Sequence, residues 1–220
     1  MSTTIEPGRY AGEKRSSRGE PAWELALRFP RQGDWTEADY LSLEHQGSLI
    51  ELVDGCLEFL PMPTLRHQRI VKYLAWLLDQ YLRQHHLPGE IGVSPCPIQL
   101  WDGRIREPDV FYLRPEHVSE PDEMPTGLEL AIEVVSEGAD NRQRNLVDKR
   151  TDYAQAGVKE DWIVDPENES VAVMALDGNA SAIHGEFGKG TTLTSRLSIS
   201  LSIAVDEIFA AGHGRQTDAR

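Results

Sequence analysis

Apolar and polar positions along the chain switch between a spacing of two and a spacing of three to four, and the switches mark out the elements. Leu49–Val53 and Cys56–Leu60 alternate on either side of Asp54-Gly55, a dipeptide suited to a two-residue hairpin turn, so a β-hairpin is expected there. Upstream, Thr36 is placed to cap a short helix running to about Gln46, with Glu37 and Asp39 in its first turn. Downstream, Thr64 caps a long helix to about His86. Its residues Ile70, Val71, Leu74, Leu77, Leu78, Tyr81 and Leu82 recur at helical spacing and form one buried stripe. Pro88-Gly89 stops it. Strands follow near Gly92–Ser94, Ile98–Trp101, Val110–Leu113 and Leu128–Val135, then a helix from Asp140 to Ala156 ended by Gly157. Further strands are expected at Asp161–Val164, Val171–Leu176, Thr191–Leu193 and Leu197–Ile203, with a closing helical turn at Val205–Ala210. Hairpins interspersed with helices predict an α/β (α+β) fold around one mixed sheet, as a single domain over residues 21–210. Residues 1–20, polar and mixed in charge, read as a disordered arm, and 211–220 as a flexible tail.

Composition narrows the class. A chain of 220 residues and 24.7 kDa buries a sizeable core without staples, and a 40% hydrophobic content with mean hydropathy −0.43 fits a soluble globular protein. Runs such as Leu74–Leu78 are too short to span a bilayer, so no membrane association is expected. The first residues lack the apolar stretch of a secretory signal. Cys56 and Cys96 form no CxxC pattern, which excludes a cysteine zinc knuckle and favours a reducing, cytoplasmic setting.

Charge complicates the picture. Lys+Arg 22 against Asp+Glu 36 leaves −14, with a pI near 4.9. Proteins that coat phosphate backbones carry a basic face and often a domain pI above ~9. The excess acid serves solubility, or part of it clusters to hold a hard cation; composition does not separate the two.

One strand points to the second reading. In Leu128–Val135, period-two geometry puts Leu130, Ile132 and Val134 on one face and Glu129, Ala131, Glu133 and Val135 on the other. Glu133 lies among β-branched residues near the strand's end, where a buried carboxylate needs a partner: a helix N-terminus, an arginine or a metal. Arg106-Glu107-Pro108-Asp109-Val110-Phe111 sets Asp109 at the start of another apolar strand. Two neighbouring strands offering carboxylates at adjacent ends make an oxygen site suited to Mg²⁺ or Mn²⁺. A second Pro-Asp, Pro121-Asp122, lies in a polar loop with no strand after it. On the following helix Lys149 precedes Tyr153 by four residues, so both can face the sheet. The lysine there either neutralises phosphate charge or simply pairs with Asp148 or Asp152.

Taken in order, Glu51-Leu52-Val53-Asp54-Gly55, His67, Pro108-Asp109, Glu133-Val134-Val135-Ser136, Lys149, Tyr153 and Gly157–Pro166 carry a resemblance. The chain resembles the bacterial putative restriction endonuclease family, common in cyanobacteria and built on the PD-(D/E)xK nuclease core. The resemblance covers residues 35–166 as motifs, with a looser tail to about Phe209. It implies a restriction-endonuclease-like fold: a mixed sheet flanked by helices, with an acidic site at one edge. It implies Asp109 and Glu133 as metal ligands, the Val134 carbonyl as a further ligand and Lys149 as the catalytic lysine displaced to the helix. It also implies Glu51 as an additional acid reaching the metal directly or through water, and His67 as a residue bordering the site. Tyr153 and Trp162 fit packing roles. Departures occur at Glu137, where the family often has proline, at Asn145, where it often has aspartate, and at Asp161, where tyrosine is usual and an acid adds exposure.

The seven histidines show no HxH or HxxxH spacing, and no GxSxG, GxGxxG or P-loop occurs, so zinc hydrolase, serine hydrolase and nucleotide-cofactor chemistries are unsupported. Two functions remain: a Mg²⁺- or Mn²⁺-dependent endonuclease acting on DNA, and a non-catalytic scaffold of the same fold for nucleic-acid binding or assembly. Cleavage of both strands by one site per chain suggests a homodimer.

Overall fold

The structure is a computed structural model and describes residues 26–43, 49–118, 120, 122–136, 147–178, 180–197 and 201–214. The expected disordered arm and the end of the tail, 215–220, lie outside these residues. So do 44–48, where the first helix was expected to end, and 137–146, which include the expected first turns of the later helix from Asp140.

Helix α1 (Glu37–Ser42) starts at Thr36, whose hydroxyl accepts from the Asp39 N–H while Asp39 accepts from the Thr36 N–H, a reciprocal capping box. Strands β1 (Ile50–Val53) and β2 (Cys56–Phe59) form the expected hairpin. Asp54 and Gly55 both take positive φ, 48° and 76°, as a type I′ turn requires. Gly55 is needed twice over, because a Cβ there would sit 2.5 Å from the Gly33 carbonyl oxygen. Helix α2 (Leu65–Gln84) is capped by Thr64 and buries Ile70, Val71, Leu74, Leu78 and Leu82 of the predicted stripe, with Leu77 and Tyr81 half-buried against the same core.

The principal sheet has six strands in the order β10-β9-β8-β7-β6-β3: β10 (Ala180–Phe187), β9 (Ser170–Asp177), β8 (Glu160–Asp165), β7 (Leu130–Val134), β6 (Val110–Leu113) and β3 (Glu90–Val93). Only β7 and β8 run parallel, and the connection between them carries α3 (Lys149–Gln155). On one face Val110, Tyr112, Leu130, Ile132, Val134, Trp162 and Val164 pack against α2 and α4 (Val205–His213). On the other, Phe111, Leu113, Leu128 and Ala131 pack with Tyr153 of α3 and with Val158.

The mixed α+β class and flanking helices are as expected, but the hairpin does not join the main sheet. It pairs instead with β5 (Arg104–Arg106) and β4 (Ile98–Trp101) as a separate four-stranded antiparallel sheet, β2-β1-β5-β4. Its small core is Tyr40, Leu52, Leu57 and Ile105. A two-stranded ribbon, β11 (Thr192–Thr194) with β12 (Ser202–Ala204), completes the strands. Helix α4 runs to His213, past the expected stop at Ala210. Among the described residues no helix is long and apolar enough to cross a membrane.

Candidate active site

The site grows from strand alternation in both sheets. In the small sheet Leu52 pairs with Ile105, and both side chains enter the local core. The neighbouring positions therefore face the opposite way, and continuing the register puts Glu51 across from Arg106. Glu51 also lies across from Glu58 on β2. Two like charges facing each other across a ladder repel, and Arg106 resolves the conflict: Nη1 donates at 2.8 Å to Glu51 and at 2.8 Å to Glu58. Its remaining donors, Nε and Nη2, reach Asp152 of α3 at 2.8 and 2.6 Å. Arg104 adds a contact to the same aspartate at 3.2 Å. Arg106 thus ties the small sheet to the helix that carries Lys149. Burial opposes its charge, but Glu51 and Asp152 outweigh burial and hold it protonated.

On the main sheet, the Val110–Ile132 pairing continues to place Asp109 across from Glu133. Asp109 Oδ2 accepts the Val134 N–H at 2.7 Å and lies 3.2 Å from His67 Nε2. His67 is delivered by the start of α2, where its own N–H donates to the Thr64 cap. Burial lowers its pKa, but Asp109, then Glu133 and the Val134 carbonyl, pull it above the usual histidine value.

Lys149 opens α3 and is almost wholly buried. Its Nζ lies 2.9 and 3.0 Å from the two Glu133 oxygens and 2.9 Å from Glu51 Oε1. The Asp148 or Asp152 pairing expected of an ordinary helical lysine does not form: Asp152 belongs to Arg106. Tyr153, one turn on, packs as expected and also donates its hydroxyl to Glu133 at 2.6 Å, a role the sequence reading did not give it. Burial disfavours the Lys149 charge, but Glu133 and Glu51 hold it protonated. Burial likewise raises Glu51, but Lys149 and Arg106 overcome it and keep that carboxylate ionised. Glu133 moves upward: burial is the largest cause, Lys149 offsets part of it, and the charges of Asp109 and Glu51 add to it.

These groups floor an open cleft of about 220 Å³, lined by Glu107, Asp109, Glu133, Val134, Lys149 and His67, with an apolar rim of Leu60, Pro61, Met62 and Pro63. All the residues named from the sequence are brought together. Asp109, Glu133, Val134, Lys149 and His67 reach the cleft, while Glu51 stands behind Lys149 with no exposure. Ser136 borders the cleft; Glu137 and Asn145 lie outside the described residues. Arg106, Asp152 and Glu107 were missed. A signal existed: Arg104-Ile105-Arg106 alternates charge around one apolar residue immediately before the acidic pair. Asp161 corrects the reading in the other direction. It adds no exposure, being only 5% accessible, because β8 is covered on both faces.

The donors suit a hard divalent cation. Glu51, Glu107, Asp109 and Glu133 crowd around one lysine and an arginine already shared with Glu58 and Asp152. Glu107 Oε2 is buried with no hydrogen-bond partner, and burial with the Glu51 charge pushes its carboxyl up to about 7. Among the described residues no group of three or more His, Cys, Asp or Glu side chains stands close enough together, as placed, to hold a metal ion. An octahedral Mg²⁺ that keeps several waters needs only one or two carboxylates.

The family described as Uma2, putative restriction endonuclease, matches over residues 37–206. No curated protein matches. A solved structure of a putative nuclease belonging to DUF820 from Anabaena variabilis superposes with a TM-score of 0.66 at 15% identity, covering 80% of this chain and 98% of that one. At that identity the likeness speaks for the fold.

Proposed function

The chain belongs to the Uma2 putative restriction endonuclease family, and from that premise we propose that it is a divalent-cation-dependent endonuclease hydrolysing phosphodiester bonds in DNA. The observation that carries the reading is the meeting of Asp109, Glu133 and Lys149, from three different elements, at the floor of one cleft. Asp109 and Glu133, with the Val134 carbonyl, would hold Mg²⁺ or Mn²⁺. Bound there, the cation supplies charge neutralisation at the phosphate and a more acidic attacking water.

The chain's own groups do the rest. The Val134 N–H and His67 fix one oxygen of Asp109 and leave the other for the cation. Tyr153 and the β7 ladder hold Glu133 in place. Lys149, kept protonated by two carboxylates, places a permanent positive charge beside the charge that develops on the phosphate. Water adds at phosphorus, one P–O ester bond breaks, and the leaving alcohol takes the proton.

Nicking of supercoiled plasmid in Mg²⁺ or Mn²⁺ tests the reading. Lys149→Met and Glu133→Gln should each lower the rate by about a thousandfold, the scale of removing a preorganised charge. Nicking that persists in EDTA, or that Glu133→Gln leaves intact, sinks it. For cuts in both strands we expect a two-fold dimer, read by sedimentation as twice the 24.7 kDa chain.

One observation favours a second reading. The Lys149 side chain is only 2% exposed and engaged by two carboxylates, as in a structural ion pair. A scaffold of this kind would bind duplex DNA equally well with and without Lys149 and cut none of it.

A further inference from the structure

Glu107 is a carboxylate that the fold buries near the Lys149 charge but, among the described residues, in no ion pair. Its side chain lines the cleft, the residue is 5% exposed, and Oε2 has no hydrogen-bond partner. Oε1 has only the Tyr40 hydroxyl at 3.5 Å, and that hydroxyl's single proton is already given to the Ile50 carbonyl at 2.9 Å. Among the described residues no salt bridge reaches it, although Arg106 precedes it directly and spends its donors on Glu51, Glu58 and Asp152. A buried carboxylate left this way is costly unless something positive completes it.

Its neighbour Glu51 is the opposite case. Oε1 accepts from the Glu107 N–H at 2.8 Å and from Lys149 at 2.9 Å, and Oε2 accepts from Arg106 at 2.8 Å. Turning Glu51 toward a cation would break these bonds and leave Lys149 with Glu133 alone and Arg106 with Glu58 and Asp152. Chain geometry also favours Glu107. A residue before proline prefers an extended backbone, and in extended chain positions 107 and 109 project to the same side. Both line the cleft.

We propose that Glu107 is a direct ligand of the cation together with Asp109 and Glu133, and that Glu51 is the fixed counter-ion of Lys149 and Arg106 rather than a ligand. The assignment rests on the divalent-cation reading above and adds to it a third carboxylate that the sequence reading did not name. A three-carboxylate set holds Mn²⁺ before nucleic acid arrives, whereas Asp109 and Glu133 alone would hold it weakly.

The test is Mn²⁺ titration by calorimetry on the full-length protein without nucleic acid, with near-UV circular dichroism as the check on folding. Wild type should bind Mn²⁺. Glu107→Gln should lose about tenfold or more in affinity, Asp109→Asn should lose as much, and Glu51→Gln should change Mn²⁺ affinity less than Glu107→Gln does. If Glu107→Gln does not fold, Glu107→Ala serves in its place. Mn²⁺ binding that is lost in Asp109→Asn but unchanged at position 107 overturns the assignment and leaves the cation site standing. No binding by wild type, even with a nuclease-resistant phosphorothioate duplex present, overturns both.

Discussion

The two faces of the six-stranded sheet are built from the same strands and follow opposite rules. Toward α2 and α4, Val110, Leu130, Ile132, Val134, Trp162 and Val164 meet Ile70, Leu74 and Leu78, and the acid that β8 buries on that side, Glu160, accepts the Trp162 indole N–H. Toward α3, the alternating positions carry Glu133 and Asp161 beside Phe111 and Ala131, with Lys149 and Asp152 above them. The first face gains stability from area removed from water, about 1.5–3 kcal/mol for each fully buried aliphatic side chain. The second loses solvation for every charge it buries and recovers it only through geometry. Stability and chemistry are thus one sheet's thickness apart, and a residue shifted by one position along β7 would move from one regime to the other.

The charged face should be the more brittle. Arg106→Ala leaves buried Glu51 with Lys149 alone and Asp152 with the longer Arg104 contact alone, and should cost about 3 kcal/mol in urea unfolding; a loss below 1 kcal/mol would mean that the network is a bystander. On the apolar face, Leu74→Ala should cost about 3 kcal/mol from lost transfer and cavity formation. That loss should be the same at pH 5 and pH 8, since nothing titratable is involved; a pH-dependent loss would show that the faces are not independent.

Asp161 gives the converse signature. Burial raises its carboxyl to about 7; Arg150 and the Ser181 hydroxyl oppose the shift, and the charge of Glu160 adds to it. The native state therefore holds a proton that the unfolded chain has released, and wild type loses stability as pH rises from about 4 through 7. Asp161→Asn has no such slope. It should gain on wild type over that window and exceed it by about 1–3 kcal/mol at pH 8, with a flat difference between pH 5 and 8 counting against the assignment. Smallest of all, Arg83→Ala removes an exposed i,i+4 pair with Asp79 and should leave the melting temperature unchanged within error.

Much of this arrangement is legible in the sequence because it is local. Asp54-Gly55 specifies its own turn, Thr64 and the Ile70–Leu82 stripe specify α2, and period two alone puts Glu133 opposite Ile132 and Val134. The four-residue step from Lys149 to Tyr153 sets both on the helix side that faces Glu133. Illegible parts depend on distant partners. The pairing of β1 with β5 joins residues about fifty apart and turns the hairpin into a second sheet. Strand β5 is three residues long with arginines at both ends, and neither its existence nor its use of Arg106 follows from propensity. Asp161 reads as a surface residue until β9 and α3 cover β8. The half-buried pattern of β10 likewise gives no clear alternation to find.

Two of the site's carboxylates rest on backbone amides rather than on side chains alone: Asp109 on the Val134 N–H and Glu51 on the Glu107 N–H, at 2.7 and 2.8 Å. An amide proton donated to an ionised carboxylate resonates downfield of one donated to a neutral acid or to water, and it exchanges with solvent slowly. The Val134 and Glu107 amides are therefore built-in spectroscopic reporters. In a ¹⁵N-edited spectrum, one tracks the acid at the mouth of the cleft and the other the acid behind the lysine. A cation held by Asp109 and Glu107 would move both resonances, the first through the Asp109 carboxylate and the second through the Glu107 side chain itself.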